Sequence, residues 1–195
     1  MKNPKSSIWS LLLLATALTM TSCDPKNKQE DDSKEVAEDQ NEVKFEDSKI
    51  EDDTEFAVEA ADASLFEIQA GQLALKNATT PEVKKLAQQM IDDHTKASEE
   101  LKGLAQTKNI SLPTALSEKC QKKYNDLSEK KGIDFDDAYT DLMVKNHKDV
   151  VDQFKKESEK GNDAELRAWA GEKVAALEHH LEMSKATEKI VDDKK

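Results

Sequence analysis

Residues 81–105 read PEVKKLAQQMIDDHTKASEELKGLA, and their pattern is the clearest indication of the fold class. Its apolar residues follow one another at steps of three and four, which is the spacing of one buried face of an α-helix. The step from Met90 to Ala97 is twice as long, and His94 stands at the position between them. An ionisable imidazole therefore belongs to the predicted buried face. The apolar residues of this face are Val83, Ala87, Met90, Ala97, Leu101 and Leu104.

The composition of the chain favours an all-α protein and argues against one class of partner. The 195 residues include five glycines, four prolines and 5% aromatic residues, which disfavours a sheet with many turns. The formal net charge of −12 argues against nucleic acid as a partner. Hydrophobic and charged residues each make up 36% of the chain, so we expect part of it to lie outside a packed core.

The first 22 residues have the composition of a lipoprotein signal peptide. Lys2 and Lys5 precede the apolar run IWSLLLLATALTM, which is shorter than the ~20 residues that span a bilayer. The small residues of TSC, directly before and including Cys23, resemble the bacterial lipobox. The resemblance implies cleavage before Cys23, a lipid on its thiol and the membrane as partner. We expect the bacterial cell envelope, at the outer membrane, on either its periplasmic or its surface side. The alternative is a simple secretory signal with an incidental cysteine.

The segment 23–53 is strongly acidic and lacks a repeated apolar face. Residues 24–55 contain 14 acidic and five basic side chains. Such a segment repels itself and stays solvated, so the sequence predicts a disordered tether over 23–53 between the lipid and a folded domain at 54–192. A charged, frayed helix is the alternative.

From residue 54 onward the apolar spacing is helical, and turn residues divide the chain into five helices. Four are long, and a shorter one lies between the second and third long helices. This order predicts a ferritin-like four-helix bundle with a crossover, in which the extra helix returns the chain to its starting end. The predicted ranges are about 54–78, 81–108, 115–131, 134–161 and 162–192.

Three helix starts carry candidate capping residues. Thr80 precedes Pro81, whose fixed backbone suits the first turn of a helix. Asp134 is the candidate cap of the third long helix, and Asn162 with Glu165 has the spacing of a capping box for the fourth.

Each long helix places one potential metal ligand on its predicted inner face, near the middle of the helix. His180 is the furthest from its midpoint, by about 4.5 Å along the axis, so the four groups are expected to meet at one level. One of the four groups is the carboxylate of Glu67, and a buried carboxylate needs a positive partner or a metal. The set predicts one divalent ion, which is zinc, iron or manganese, with copper as a further option. The alternative is a metal-free network in which the carboxylate balances a protonated histidine. The four residues are Glu67, His94, His147 and His180.

Three further residues carry separate expectations. His179 points about 100° away from His180 on a helix, which places it at the flank or surface. Asp93 is offset from His94 and is a candidate acceptor for an imidazole N–H, with a solvated position as the alternative. Cys120 has no partner cysteine in the predicted domain and falls on an apolar stripe. We therefore expect a small buried side chain there rather than a reactive thiol.

Three segments of the chain match the pattern of a known family. They read FEIQAGQLALKNATTPEVKKLAQQMIDDHTKASEELKGLAQTKNISLP, DFDDAYTDLMVKNHKDVVDQF and LEHHLEMSKA. Together they resemble the bacterial domain-of-unknown-function family 4142 over about residues 56–190. The most specific parts are MIDDH, LEHHL and His147. The resemblance implies a ferritin-like bundle in secreted or outer-membrane proteins, without an established activity. On the family pattern Glu67, His94, His147 and His180 match recurrent positions, whereas His179 does not.

The candidate histidines lack the pattern of a di-metal carboxylate site. Such sites carry Glu-x-x-His on two helices, but Ile91, Val144 and Leu177 stand three residues before His94, His147 and His180. The sequence thus predicts a lipid-anchored envelope protein whose bundle holds one metal ion, and it favours a protein that is not an enzyme. The alternatives are a structural or interaction lipoprotein with a buried His/Glu network, and a redox metalloenzyme. No catalytic residue is predicted.

Overall fold

The computed structural model describes residues 32–195, and α-helices account for most of them. No strand occurs within this range, so the predicted all-α bundle class is confirmed. The predicted signal segment and Cys23 lie outside the described residues. None of the described helices is both long enough and apolar enough to cross a membrane. The helices are α1 (Ser33–Phe45), α2 (Glu51–Asn77), α3 (Pro81–Lys108), α4 (Glu118–Ser128), α5 (Ile133–Lys160) and α6 (Ala164–Asp192).

The four long helices α2, α3, α5 and α6 form the bundle. Helix α2 packs on α3 and α5, and α6 packs on α5 and α3. Asp136, at the start of α5, accepts hydrogen bonds from the α2–α3 turn, including the N–H of Thr80 at 2.7 Å. Asp53, at the start of α2, accepts hydrogen bonds from the α5–α6 turn, including the N–H of Asn162 at 2.9 Å. Helices α3 and α5 therefore run in the same direction, and the segment that contains α4 carries the chain back along the bundle.

This path agrees with the crossover predicted from the sequence, with the short helix inside it. The five predicted helices begin and end within three residues of the observed α2 to α6. The kinship with ferritins that the resemblance implies stays a prediction.

The helix starts agree with the predicted caps at one of three positions. Thr80 is the N-cap of α3, and Pro81 occupies its first turn. Helix α5 begins instead after Gly132, whose φ of 60° suits a residue without a side chain, so Asp134 lies inside the first turn. Helix α6 is capped by Asp163, which accepts from the N–H groups of Glu165 and Leu166. The predicted cap Asn162 instead donates its N–H to Asp53.

The predicted disordered tether at 23–53 is wrong for its described C-terminal part, because that part is folded against the bundle. Residues 33–45 form α1, which packs on α2, and α2 itself begins at Glu51. Ala37 and Asn41 of α1 are buried. The Asn41 amide exchanges two hydrogen bonds with the backbone of Ser111, at 2.9 and 2.7 Å. Two buried residues and several partly buried ones thus hold a helix whose opposite face is exposed, and overall composition does not report these contacts.

The apolar core consists of two clusters that lie on either side of the histidines. The first surrounds the end of the bundle with the α2–α3 turn and contains Phe66, Met90 and Met143. The second lies toward the α5–α6 turn and contains Leu101 and Phe154. Burial of each such side chain contributes about 1.5–3 kcal/mol. Packing on both sides therefore holds the middle layer of the bundle in place.

Candidate metal centre

Three histidines from three helices meet in the middle layer. The ring centroids of His94 on α3 and His147 on α5 are 5.7 Å apart. The ring of His180 on α6 lies 5.5 Å from that of His94 and 5.3 Å from that of His147. The exposed fractions of the three residues are 6%, 1% and 2% respectively. Three imidazoles therefore share one nearly dry space inside the bundle.

The hydrogen bond of His147 determines which of its ring nitrogens is free. Nδ1 lies 3.0 Å from the backbone oxygen of Met143, one helical turn earlier. A carbonyl oxygen only accepts, so Nδ1 carries the proton and donates it. Nε2 of the neutral ring then holds a lone pair, and it is buried without a hydrogen-bond partner.

His180 is oriented in the same way by a carboxylate. Its Nε2 lies 2.8 Å from Oδ2 of Asp93. Burial alone raises the pKa of Asp93, but hydrogen bonds from Gln89 and His180 bring it below its ordinary value, so Asp93 is ionised and accepts. Nδ1 of His180 is left with its lone pair and no partner, and Nε2 of His94 is also buried without one. Buried polar atoms without partners are rare in folded proteins, and three of them here belong to adjacent rings.

All three imidazoles are held in the neutral form that binds metals. Burial lowers the pKa of His94 well below its ordinary value, and repulsion from the protonated forms of His147 and His180 adds to this effect. Burial lowers the pKa of His147 to about 4, against the opposing hydrogen bond to Met143. Burial also lowers the pKa of His180, although the bond to Asp93 acts in the opposite direction. No imidazole has to lose a proton before it coordinates an ion near neutral pH.

The spacing of the three rings fits a single ion. One ligand nitrogen from each ring lies within 4.8 Å of the other two. Zinc–nitrogen bonds of about 2.0–2.1 Å in a tetrahedron would place such nitrogens about 3.4 Å apart. Small adjustments of the side chains would therefore close the cluster around an ion. Three protein ligands leave one position of a four-coordinate ion open.

Glu67, the fourth predicted ligand, is buried in the same layer but lies outside this group of three. Its Oε1 accepts a hydrogen bond of 3.1 Å from the Asn146 amide, and its Oε2 has no partner. Burial raises the pKa of Glu67 to about 7, although the Asn146 bond, the protonated form of His180 and the charge of Lys123 act to lower it. The Tyr139 hydroxyl is buried without a partner as well, and its pKa is raised by burial and by the charge of Glu67.

The remaining predicted residues take the positions expected for them. Asp93 accepts the imidazole N–H of His180 rather than that of its neighbour His94. His179 is exposed. Cys120 is buried, and its thiol donates to Asp62 at 3.2 Å. Burial raises the pKa of Cys120 to about 11, so the thiol is not a nucleophile at neutral pH.

Sequence reasoning missed Asn146 and Lys123, which orient Glu67. Lys123 on α4 donates to Oδ1 of Asn146 at 3.1 Å, and the Asn146 amide donates to Glu67. Asn146 precedes His147 directly, but a polar residue beside a candidate ligand carries no signal of its own. The contact between α4 and α5 that aligns them is visible only in the folded chain.

A small cavity adjoins the histidines. Its volume is about 50 Å³, and His94 and His180 contribute to its wall together with Asp93. Most of the remaining wall is apolar and includes Ala63 and Val150. The cavity exceeds the space that one water molecule needs, so small molecules fit beside the cluster.

The fold and the site define a helical bundle protein with a buried three-histidine donor set in its middle layer. The model of a family described as Domain of unknown function (DUF4142) matches residues 36–187, and the chain belongs to this family. Comparison with curated proteins and with solved structures gave no match.

Proposed function

We propose that this protein is a lipid-anchored protein of the bacterial cell envelope that binds one divalent metal ion through His94, His147 and His180. The observation that supports the proposal is that three neighbouring imidazoles each have a buried ring nitrogen without a hydrogen-bond partner, and that one ligand nitrogen from each ring lies within 4.8 Å of the others. In a metal-free polar network each of these nitrogens would be paired, either with an N–H of a neighbouring ring or with a nearby side chain. Their lack of partners therefore favours the ion over the network.

The donor set favours an ion of the zinc and copper class. Three neutral imidazoles suit zinc and copper, and they also suit iron, whereas manganese prefers carboxylate and water oxygen ligands. Because Glu67 is not part of the group of three, the site lacks the oxygen ligand that would favour manganese. Asp93 strengthens His180 as a ligand by accepting the proton on its opposite nitrogen.

The ion would also hold the bundle together. One ligand comes from α3, which pairs with α2, and the other two come from α5 and α6, which form the second pair of the bundle. An ion that binds the folded chain alone stabilises it by mass action, by about 2.7 kcal/mol at a free concentration 100 times the dissociation constant. Metal storage or metal handling in the envelope is the function that this arrangement supports best.

A redox metalloenzyme is the second candidate, and the cavity beside His94 and His180 is the observation that favours it. A three-histidine site leaves a coordination position to which a small molecule from this space can bind. Turnover of a redox substrate by a copper- or iron-loaded sample distinguishes this candidate from simple binding.

The lipid anchor is tested at Cys23. We expect the wild-type protein to carry a lipid on this residue and the Cys23→Ser variant to be released from membranes. Measurement of intact mass decides the question. A wild-type chain that begins at another residue, or that carries no lipid mass, contradicts the anchor.

The metal site is tested by calorimetric titration of the apo-protein, purified without a histidine tag, with zinc, copper, ferrous iron and manganese. We expect one ion per chain for the wild type and for His179→Ala, whose ring is exposed on the adjacent position. Loss of an outer-shell partner weakens metal binding about 10–100-fold, so His94→Ala and His147→Ala, which remove ligands, should weaken it by at least as much or abolish it. If both variants bind every ion as the wild type does, or if the wild type binds none, the metal site is refuted.

A further inference from the structure

A second and larger pocket opens on the side of the bundle where α1 and α4 cover α2 and α5. Its volume is about 440 Å³, and its wall carries seven acidic side chains and three lysines. Several of the acidic groups, such as Glu35, Glu59 and Asp149, are exposed at the protein surface. A recess with an excess of carboxylates raises the local concentration of cations and speeds their arrival.

The deepest acidic residue of this pocket with a free oxygen is Glu67. Only 3% of the residue is exposed, and its Oε2 has no partner. The other buried carboxylate in the wall, Asp62, accepts hydrogen bonds at both oxygens from the backbone and hydroxyl groups of Ser117. Asp62 is therefore occupied by the protein itself, whereas Glu67 retains an oxygen for a ligand from outside.

The acidic pocket and the cavity beside the histidines share part of their walls. Ala63 and Val150 line both spaces. Ala63 lies one turn before Glu67 on α2, and Val150 lies one turn after His147 on α5. The two spaces therefore adjoin each other at two apolar side chains of small or medium size.

We propose that the acidic pocket is the route by which the metal ion reaches the histidines, and that Glu67 is the group that receives it on the way. This inference rests on the proposed function of the three-histidine site. A hydrated divalent ion exchanges one water molecule for Oε2 of Glu67 and passes Ala63 and Val150. It then leaves Oε2 and exchanges water ligands for the three imidazole nitrogens, while the fourth coordination position keeps a water molecule.

The chemistry of the two positions gives the transfer its direction. A single carboxylate oxygen holds a divalent ion weakly, whereas three converging imidazoles hold an ion of the zinc and copper class tightly. The amide of Asn146, itself held by Lys123, fixes Oε1 and leaves Oε2 as the ligand atom. Helix α1 forms part of the wall through Lys34 and Glu38, so the segment next to the predicted anchor also shapes the route.

The test is the rate at which apo-protein takes up Co²⁺ in a stopped-flow experiment. Visible absorption bands of Co²⁺ strengthen when the ion leaves octahedral water for a four-coordinate site, so they report arrival at the histidines. Equilibrium titration of the same samples gives the dissociation constant separately. We expect Glu67→Gln to slow uptake about tenfold and to leave the dissociation constant unchanged. Glu172→Gln, an exposed change on α6 outside this pocket, should leave both unchanged.

A second variant tests the path rather than the carboxylate. Ala63→Leu enlarges a side chain that lines both spaces, and it should slow uptake without a change in the equilibrium constant. Because Ala63 is not fully buried, this change should not unfold the bundle, which circular dichroism verifies. Uptake by the wild type should also slow as salt is added, since screening weakens the attraction of the acidic pocket.

Each alternative result overturns the route. Unchanged uptake rates in Glu67→Gln and Ala63→Leu would show that the ion arrives another way. If Glu67→Gln has a larger dissociation constant but an unchanged uptake rate, Glu67 is a ligand of the bound ion instead. If the wild type binds no metal at equilibrium, the proposed function fails and this inference fails with it.

Discussion

The aspartates at the ends of the bundle and the histidines in its middle are all buried, but they differ in how their polar atoms are satisfied. Asp136 accepts hydrogen bonds from the N–H groups of Thr79 and Thr80, and Asp53 accepts from those of Asn162 and Asp163. Each aspartate lies in the first turn of one helix and accepts hydrogen bonds from the turn that joins the two helices of the other pair. The histidine nitrogens that face each other have no partner in the chain.

The difference separates structural polar groups from groups that are available to a ligand. Backbone N–H groups satisfy the carboxylate oxygens of Asp53 and Asp136, so these buried aspartates stabilise the fold. The middle layer leaves polar atoms unpaired, which costs stability unless something from outside binds there. Four predictions test this distinction, in order from the largest expected effect to the smallest.

Asp136→Ala should lower the free energy of unfolding by about 3 kcal/mol. The change removes an acceptor for buried N–H groups, and hydrogen bonds to a charged group contribute about 1.5–3 kcal/mol each. Urea unfolding of the apo-protein measures it. The increase in stability on adding zinc should remain, because Asp136 is far along α5 from His147. Loss of the zinc effect together with stability would contradict the separation of the two regions.

His147→Ala should behave in the opposite way. It should abolish the stabilisation by zinc, which for the wild type is about 2.7 kcal/mol at 100 times the dissociation constant. Thermal unfolding with and without zinc measures the difference, and His179→Ala is the matched control. A zinc-induced shift in His147→Ala equal to that of the wild type would show that the histidines are a polar core.

Glu67→Gln should stabilise the apo-protein at alkaline pH but not at acidic pH. Burial raises the pKa of Glu67 from 4.5 to about 7, so the folded chain holds this proton more tightly than the unfolded chain does. The resulting stability is present below pH 4.5 and is lost as the pH rises through 7. Glutamine has no such proton to lose, so we expect a gain of about 2 kcal/mol at pH 8 and little change at pH 5. Urea unfolding at pH 5 and pH 8, with a chelator present, measures the change in the free energy of unfolding. An equal change at the two pH values would contradict the burial of the Glu67 charge.

Asn41→Ala should loosen α1 and leave the bundle intact. The substitution removes two hydrogen bonds to Ser111, each worth about 1 kcal/mol. Amide hydrogen exchange should accelerate in residues 33–45 and stay unchanged in α2 to α6. Asp39→Ala, an exposed change on the same helix, is the control. Equal exchange in both variants would show that α1 is held by other contacts.

Much of the fold follows from local spacing. The alternation of three- and four-residue steps predicts the five helices from residue 54 onward, and it assigns His94, His147 and His180 to inner faces. Helix geometry sets these directions within a single segment, so no neighbour is needed to infer them. The same reasoning places Glu67 inside, where it lies, but it does not distinguish a position in the histidine group from a position beside it.

The errors arise where distant segments meet. The docking of α1 depends on contacts with distant segments, such as those of Asn41 with the backbone of Ser111, 70 residues away, and of Lys34 with Glu59. The cap of α6 is Asp163, and the turn before it is fixed by Asp53 of α2, which accepts hydrogen bonds from the N–H groups of Asn162 and Asp163. The orientation of Glu67 depends on Asn146 and, through it, on Lys123 of the crossover helix. None of these pairings has a periodic signal.

Local spacing along the chain is enough to predict the helical class, the limits of α2 to α6 to within three residues and the inner-face positions of the three histidines. Those features depend on backbone geometry and on the side on which apolar residues fall, which each segment carries in its own order. The folded chain was needed to see that the three rings meet with unpartnered nitrogens, that Glu67 lies apart from them with one free oxygen, and that α1 lines an acidic pocket beside Glu67. These depend on distances between atoms of different helices, which follow from the packing of the whole bundle.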